Sequence, residues 1–323
     1  MNSVALSVTD ATRRIGDRDV VDHVSFDVAD GELLAMVGPS GCGKSTLLRL
    51  LAGLDDDGSG QIVLDGRDVT ALPPERRRIG LVFQDHALFP HRSVAHNISF
   101  GLRHLSRRLR AARVDELLEL VRLPGVGDRY PHELSGGEQQ RIALARALAP
   151  EPTVVLLDEP FASLDPSLRD EVRNDVVAAL RERKAAAVLV THDREEALSL
   201  GDRVAVMANG RLLQIDRPAE VYERPVDRFV AEFLGDASFL PADDSSPGLV
   251  LARPHDLVVS EGGCSVVTGR RYLGAAWRYR VRLDDGTHIE ADAPAGPATD
   301  LLAVGDACTV TVTATHQLHR LPN

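Results

Sequence analysis

The sequence predicts an α/β protein whose first domain is built on a mostly parallel sheet and whose second domain contains only strands. In the first domain, about residues 1–235, short apolar runs typical of buried strands alternate with helical patterns. After about Gly235 the pattern changes to short alternating strands at close spacing, which predicts a small all-β barrel over residues 236–323.

The elements of the first domain follow from its apolar runs. Alternation predicts strands near Val4–Val8 and Val20–Val28, and the continuous run Leu33–Val37 suits a strand buried on both faces. A helical pattern extends from about Val94 to Leu148. Further predicted elements are strands at Ile62–Leu64, Val154–Leu157, Ala187–Val190 and Val204–Met207, a helix at Val172–Leu180 and a hairpin turn at Asn209–Gly210.

The second domain begins after a segment whose composition marks it as a linker, Pro241–Gly248. Beyond it, alternation predicts strands at Trp277–Leu283, His288–Ala291 and Cys308–Thr313. The turn between the first two of these strands is predicted at Asp284–Gly286.

Composition excludes several classes of protein. A chain of 323 residues with 44% hydrophobic and 26% charged residues is typical of a soluble globular protein. The formal net charge of −11 argues against a broad nucleic-acid-binding surface, which would have to be basic. The 3 cysteines are too scattered for a disulfide framework or a zinc cluster. No spanning apolar run and no signal-peptide pattern are present, so we expect a cytosolic protein.

One helical segment is strongly basic, and two interpretations of it stay open. The arginines could form a solvated helix face, which is the more common situation, or a docking surface for a partner. They are Arg103, Arg107, Arg108, Arg110 and Arg113.

The segment GPSGCGKST, residues 38–46, fits the phosphate-binding pattern G-x-x-x-x-G-K-[ST]. It follows a predicted strand and opens a predicted helix, which is the context that the motif requires. Its glycines allow backbone N–H groups to converge on phosphate oxygens, and the helix N-terminus adds partial positive charge. Lys44 would neutralise the β and γ phosphates, and the Ser45 hydroxyl would bind Mg²⁺. The sequence therefore predicts a nucleotide site.

Two adjacent carboxylates at the end of a buried strand supply the acidic partner of such a loop. Asp158 would hold Mg²⁺, directly or through water, and Glu159 would act as a general base on the attacking water. Acidic residues at strand ends also cap helices, so this pair indicates a metal site only in combination with the loop at Gly38.

A second candidate anion site lies at LSGGE, where Ser135, Gly136, Gly137 and Glu138 open another helix. One nucleotide does not need two phosphate cradles within one chain. We therefore expect this segment to complete the site of another copy.

Together these motifs resemble those of an ABC transporter ATPase. GPSGCGKST, LSGGEQQR, VVLLDEP, SLD at Ser163–Asp165 and THD at Thr191–Asp193 occur in the order of that family, and the resemblance covers about residues 1–235. It implies a P-loop nucleotide-binding domain with a helical subdomain at about 86–148, and two copies that pack head to tail around two ATP molecules. The nucleotide would contact the whole loop, namely Gly38, Pro39, Ser40, Gly41, Cys42, Gly43, Lys44, Ser45 and Thr46.

The resemblance also assigns roles to four further residues. Gln84 resembles the glutamine that senses Mg²⁺ and the membrane partner, and His192 resembles the switch histidine that contacts the γ-phosphate. Asp165 resembles the aspartate that acts across the dimer. Ile15 stands where the family usually has an aromatic residue that stacks on adenine. Without that context, Gln84 is an ordinary loop amide and His192 a satisfied strand-end histidine.

The tail narrows the class further. FLGDASFLPA, RPHDL and YLGAAWRYRVRL resemble the TOBE-type, OB-like barrel of importer ATPases, although His255 stands where the family usually has Glu. Leu72–Leu102 is similar to ferric-iron and polyamine importer ATPases, and PFASLDPSLR favours ferric iron as cargo. Polyamine, sulfate, phosphonate and sugar stay open.

The resemblance implies partners and a location as well. The partners would be a second copy, membrane permease subunits and, indirectly, an external substrate-binding protein, but not nucleic acid. The chain would lie peripherally on the cytoplasmic face of the cell membrane. The alternative from another class is a soluble ABC ATPase that acts on nucleic acid or ribosomes.

Overall fold

The chain forms two compact units, Met1–Pro218 and Ala219–Asn323. The computed structural model describes residues 3–55, 57–241, 249–295, 302–313 and 319–321. Residues 219–235 group with the second unit in this division, and the family-based boundary near residue 235 stays a prediction. Of the expected linker, Pro241–Gly248, all but Pro241 lies outside the described residues. Within the described ranges, no helix is long and apolar enough to cross a membrane.

Strands and helices alternate through most of the first unit, which confirms the predicted α/β class. The strands are β1 (Val4–Ile15), β2 (Arg18–Ala29), β3 (Leu33–Val37), β4 (Gly58–Leu64), β5 (Arg67–Asp68), β6 (Ile79–Val82), β7 (Val154–Asp158), β8 (Ala186–Thr191), β9 (Arg203–Ala208) and β10 (Arg211–Asp216). The helices are α1 (Lys44–Ala52), α2 (Val94–Ile98), α3 (Arg107–Leu120), α4 (Gly136–Leu148), α5 (Pro166–Glu182) and α6 (Arg194–Leu200).

Two sheets organise this unit. The larger sheet has the order β10-β9-β3-β8-β7-β6, in which β9, β3, β8, β7 and β6 run parallel. Strand β10 pairs antiparallel with β9 through the predicted hairpin, where Asn209 (φ 49°) and Gly210 (φ 81°) both have the positive φ of a type I′ turn. The smaller sheet is antiparallel, with the order β2-β1-β4-β5.

Strands β1 and β2 extend beyond the segments that the alternating pattern predicts. They continue to a tight turn in which Ile15 pairs with Arg18 around Gly16, whose φ is 60°. Several register shifts interrupt the pairing, so side chains near the turn do not alternate regularly. The alternating pattern therefore predicted only the part of the hairpin that covers the core.

The central parallel strands are buried on both faces, as their continuous apolar runs predict. Along β8, Ala187 and Leu189 pack in one core cluster, which also contains apolar residues of α2–α5. Val188 and Val190 pack in a second cluster, with residues of α1 and of the antiparallel sheet. Because successive side chains of a strand point to opposite faces, one strand joins both cores.

The helical pattern predicted between Val94 and Leu148 corresponds to α2, α3 and α4. Their buried apolar residues, which include Val94, Leu117 and Ile142, belong to the same core cluster as one face of the parallel sheet. These buried faces of α2, α3 and α4 therefore pack on the sheet that carries the candidate site.

The second unit consists mainly of strands. Its elements are α7 (Pro218–Glu223), α8 (Arg228–Leu234), β11 (Ser238–Pro241), β12 (Leu249–Ala252), β13 (Leu257–Tyr272), β14 (Ala276–Arg282), β15 (His288–Pro294), β16 (Ala307–Val312) and β17 (Arg320–Leu321). The strands form one sheet of order β11-β12-β17 and one of order β15-β14-β13-β16. Their shared core includes Leu257, Val281 and Ile289.

The end of α1, the helix that follows the glycine-rich loop, is held by Arg77. This guanidinium is only 6% exposed and donates to the carbonyl oxygens of Leu50 and Leu51, both at 2.9 Å. It also donates to Leu72 and Thr70, both at 2.8 Å. The last carbonyls of a helix have no partner within the helix, and Arg77 supplies one.

We expect Arg77→Ala to lower the free energy of unfolding by about 2–4 kcal/mol, because several buried carbonyls lose a charged donor. Arg76→Ala is the matched control, since Arg76 is exposed and such changes stay within about 0.5 kcal/mol. Urea unfolding of both variants checks this. Equal midpoints for the two variants would contradict the capping role.

Candidate functional site

Four segments predicted to contact nucleotide or metal follow strands that end at the same edge of the parallel sheet. Val37 at the end of β3 pairs with Thr191 at the end of β8, and Asp158 at the end of β7 pairs with Val190. Val82 at the end of β6 pairs with Leu157. Ligands of open parallel sheets bind outside the carboxyl ends of the strands. The topology therefore brings the loop after β3, the acidic pair, Gln84 and His192 to one edge.

The glycine-rich loop lies so close to neighbouring backbone that two of its glycines cannot be replaced without displacement. A Cβ on Gly38 would lie 2.0 Å from the Met207 carbonyl oxygen, and one on Gly43 would lie 2.1 Å from that of Val20. Gly43 also has a φ of 110°. Gly41, by contrast, faces open space and has a φ of 75°. The loop is thus fixed at both ends by β2 and β9, while its middle is exposed.

Lys44, the first residue of α1, turns its side chain back over the loop. Its Nζ donates to the carbonyl oxygens of Gly38 at 2.8 Å and Pro39 at 3.1 Å, and lies 3.8 Å from Cys42 Sγ. The residue is only 5% exposed. A desolvated ammonium group within this loop is suited to binding an anion, because the surrounding dielectric is low.

Ser45 and Asp158 provide oxygen ligands suited to Mg²⁺. Ser45 Oγ donates to Asp158 Oδ1 at 2.8 Å, so the loop and the end of β7 are in direct contact. Burial raises the pKa of Asp158 above its ordinary value, and the hydrogen bond from Ser45 partly opposes this shift. Among the described residues no group of three or more His, Cys, Asp and Glu could hold a metal. Mg²⁺ fits a site of one carboxylate and one hydroxyl, because it takes its other ligands from phosphate and water.

Glu159 and His192 lie side by side next to this pair. Glu159 Oε2 is 3.0 Å from His192 Nδ1, and the Glu159 N–H donates to the Val190 carbonyl at 2.9 Å. Glu159 has a φ of 45°, which is uncommon for a residue with a side chain. The strand thus ends in a sharp turn that directs the carboxylate toward His192.

A buried network behind His192 was missed by the sequence analysis. Thr191 Oγ1 donates to Glu196 Oε2 at 2.6 Å, and Arg173 of α5 donates to Glu196 Oε1. The detectable signal was Asp193-x-x-Glu196, which is typical of a helix N-terminus. Asp193 does cap α6, since its side chain accepts from the N–H groups of Glu195 and Glu196.

Gln84 lies in an exposed turn just after β6. The segment that follows it is tied to the helical part of the unit. Arg146 of α4 donates to the His86 carbonyl at 2.9 Å and to the Ala87 carbonyl at 2.7 Å. The buried Asn97 bonds both the N–H and the carbonyl of Phe89. Neither Arg146 nor Asn97 was predicted from the sequence to take part in the site.

Ser135 caps α4, as the sequence predicts for a helix that opens with LSGGE. Its Oγ accepts from the Glu138 N–H at 3.3 Å, while the Glu138 carboxylate accepts from the Ser135 N–H at 2.8 Å. That backbone hydrogen bond lowers the pKa of Glu138 below its ordinary value. A Cβ on Gly136 would lie 3.8 Å from Leu164 Cδ2, an ordinary van der Waals distance. In this chain, no described hydrogen bond joins Ser135–Glu138 to the loop at Gly38–Thr46.

Asp165 and Ile15 lie at exposed ends of elements. Asp165 precedes Pro166 at the start of α5, and its side chain makes no capping hydrogen bond there. Ile15, at the β1–β2 turn, is 54% exposed. The neighbouring Arg13 bonds Asp57, whereas the side chain of Arg14 is largely exposed. The nucleotide contacts of these residues stay predictions.

The comparisons with known proteins agree with this arrangement. Residues 21–162 match the ABC transporter family and residues 250–318 match the TOBE domain. A solved structure of the dimeric ATP-binding cassette MJ0796 in a post-hydrolysis state, bound to ADP and Pi, has a TM-score of 0.58 and 29% identity. The match covers 66% of this chain and 98% of that one.

Curated relatives match more of the sequence. A spermidine/putrescine import ATP-binding protein of Pseudomonas fluorescens is 50% identical over 244 residues, 74% of this chain and 68% of the relative. A sulfate/thiosulfate import ATP-binding protein of Mycolicibacterium paratuberculosis is 44% identical over 316 residues, 94% and 85% of the two chains. A sulfate/thiosulfate import ATP-binding protein of Synechococcus elongatus is 43% identical, over 93% of this chain and 92% of the relative.

The two family matches lie in the two units, and ATP hydrolysis is characteristic of the ABC transporter family. The chain therefore belongs to the ABC transporter family, as an ATP-hydrolysing subunit of the importer type with a C-terminal TOBE domain.

Proposed function

We propose that the chain drives uptake of a small solute by hydrolysing ATP in a head-to-tail dimer attached to a membrane permease. The observation that carries this proposal is the convergence of Lys44, Ser45, Asp158, Glu159 and His192 at one edge of the sheet. Each supplies a different part of phosphoryl-transfer chemistry, which depends on positioning and electrostatic stabilisation.

Binding of the phosphates is assigned to the loop and to Lys44. Backbone N–H groups at the start of α1 and the Lys44 ammonium would bind the β and γ phosphates. Ser45 Oγ and Asp158 Oδ1, already 2.8 Å apart, would hold Mg²⁺, with Gln84 as a further ligand. When bound, Mg²⁺ neutralises charge that develops on the phosphate oxygens.

Hydrolysis itself is assigned to Glu159 and His192. The water oxygen attacks the γ-phosphorus, the bond from that phosphorus to the β–γ bridging oxygen breaks, and the water proton passes to a Glu159 carboxylate oxygen. The products are ADP and phosphate. His192 orients the carboxylate through Nδ1, which lies 3.0 Å from Glu159 Oε2, and its Nε2 is left to contact the γ-phosphate.

The Ser135–Glu138 segment supports a site shared between two copies. It opens a helix of 13 residues, and its N–H groups add partial positive charge suited to a γ-phosphate. Since no described hydrogen bond joins it to the Gly38 loop of its own chain, we assign it to the ATP bound by the partner. Asp165, at the start of the neighbouring α5, would act across the same interface.

The surface around Phe100 is our candidate for contact with the permease, which would make the chain a peripheral protein of the cytoplasmic membrane face. Phe100 is 42% exposed, packs with Phe89 at 4.7 Å between ring centroids, and lies under the Arg103 guanidinium. Exposed apolar groups ringed by charge are typical of interaction sites. Phe89 follows Gln84 closely, so the nucleotide site and this surface share one segment.

Glu159→Gln should bind ATP normally but hydrolyse it about 10²–10⁴-fold more slowly, because the amide cannot accept the water proton. With hydrolysis blocked, the ATP-bound dimer should accumulate in size-exclusion chromatography. The matched control is Glu182→Gln, an exposed carboxylate at the end of α5. Turnover near the wild-type rate in Glu159→Gln would remove Glu159 from this role.

Ser135→Arg should retain ATP binding to the isolated chain and lose ATPase activity, because the arginine would obstruct closure of the dimer. Ser106→Arg is the matched control, since Ser106 caps α3 in the same way. Nucleotide titration and steady-state hydrolysis measure both effects. Loss of ATP binding by the monomeric Ser135→Arg chain would contradict a site made of two copies.

For the cargo, we propose a small ion or polyamine, with sulfate or thiosulfate to be tested first. Matches over 316 residues, which extend into the TOBE domain, carry sulfate/thiosulfate names, and a shorter match carries a spermidine/putrescine name. Ferric iron, the first cargo expected from the sequence, is supported by the resemblance of Leu72–Leu102 and Pro160–Arg169 but not by the names of these relatives.

Uptake of labelled sulfate, spermidine and ferric iron by cells that lack this gene distinguishes the three. We expect one of these uptakes to fall and to return with the wild-type gene, but not with Glu159→Gln. Loss of spermidine or iron uptake instead of sulfate uptake would overturn the order proposed here. Unchanged uptake of all three would point to another cargo.

A further inference from the structure

The turn that carries His192 is fixed on both sides by one buried side-chain network. Thr191, the residue before His192, donates its hydroxyl proton to Glu196 Oε2 at 2.6 Å. The same hydroxyl oxygen accepts the N–H of Asp193, the residue after His192, at 3.0 Å. Glu196 is 4% exposed. The position of the imidazole therefore depends on where the Glu196 carboxylate lies.

The Glu196 carboxylate is in turn held by Arg173, which belongs to α5. Arg173 donates to Glu196 Oε1 through Nε at 3.2 Å and through a terminal nitrogen at 2.5 Å, and also to Asp193 Oδ2 at 3.2 Å. Its guanidinium lies 6.0 Å from the ring centroid of Phe161, in the loop between Glu159 and Asp165. Breaking a largely buried pair is costly, because one charge is left without its partner.

The opposite face of α5 is tied to α4, the helix that begins at Ser135. Asp175 Oδ2 accepts from Arg141 of α4 at 2.8 Å, and its carboxylate is almost completely buried. Two positions along a helix differ by about 200° around its axis, so Arg173 and Asp175 point in opposite directions. Helix α5 thus lies between α4 and α6 and bonds both.

We propose that Arg173 and Glu196 are positioning residues for His192. They hold the histidine in a fixed position relative to α5 and to α4, the helix that starts at Ser135. This inference rests on the proposed function, in which His192 contacts the ATP of its own chain and Ser135 that of the partner. When the dimer closes and Ser135 contacts the partner's ATP, the same network then positions His192 at the ATP bound by its own chain. Arg173 is assigned no contact with nucleotide or metal and acts through Glu196 and Asp193.

The first test is Arg173→Met, which keeps an unbranched side chain and removes the guanidinium. We expect kcat to fall about 10–100-fold while the KM for ATP stays nearly unchanged, because a small displacement of a catalytic group has an effect of this size. Arg183→Met is the matched control, since it breaks the ion pair of Arg183 with Glu116 at the other end of α5. The control should retain the wild-type kcat.

The second test asks whether Arg173 acts through His192. In the His192→Ala background, Arg173→Met should have no further effect on kcat, because residues that act as one unit are not additive. A loss of the same factor in both backgrounds would overturn the proposal, since a merely structural role would give that result.

Because Arg173→Met leaves the Glu196 carboxylate without its partner and can lower stability, Thr191 provides an independent variant. Thr191→Val replaces the hydroxyl by a methyl group of similar size, whereas Thr191→Ser keeps the hydroxyl. We expect Thr191→Val to hydrolyse slowly with normal ATP binding and Thr191→Ser to retain most of the rate. Equal rates in the two folded variants would overturn the positioning role. If His192→Ala itself keeps the wild-type kcat, the proposed function fails instead.

Discussion

The parallel pairing of β3, β8 and β7 brings the parts of the candidate site together. Because these strands run in one direction and end in register, Val37, Thr191 and Asp158 reach the same edge of the sheet. The Ser45–Asp158 hydrogen bond and the Glu159–His192 contact both follow from that pairing. The burial of β3 and β8 on both faces makes this edge rigid, since a core packed at native density resists displacement.

Around this edge, polar contacts fix the segments that the sheet alone would leave mobile. Arg77 closes the end of α1, Arg146 holds the segment after Gln84, and Arg173 holds the turn at His192. Each guanidinium offers several donors in a planar fork and so replaces several missing backbone or carboxylate partners at once. The same residue type thereby positions three different parts of the candidate site.

Local patterns predicted much of this arrangement, and tertiary contacts account for what they missed. Leu33–Val37 and Val154–Leu157 were predictable because strands buried on both faces are continuously apolar, and Gly38–Thr46 because its pattern is specific. The pairing of Arg173 with Glu196 was not, because residues 23 positions apart meet only when α5 and α6 pack together. The Ser135 segment was expected to serve another copy, and this expectation stays a prediction because it concerns a second chain.

Each proposed ATP site combines the Lys44 loop of one copy with the Ser135 segment of the other. Mixing Lys44→Ala chains with Ser135→Ala chains tests this shared site most directly, because Ser135→Ala removes the hydroxyl without adding bulk at the interface. Each variant alone lacks a complete site, but a mixed dimer has one intact site, made from the Ser135→Ala chain's loop and the Lys44→Ala chain's Ser135. Hydrolysis should return on mixing and should follow the fraction of mixed dimers. A mixture no more active than either variant alone would contradict the shared site.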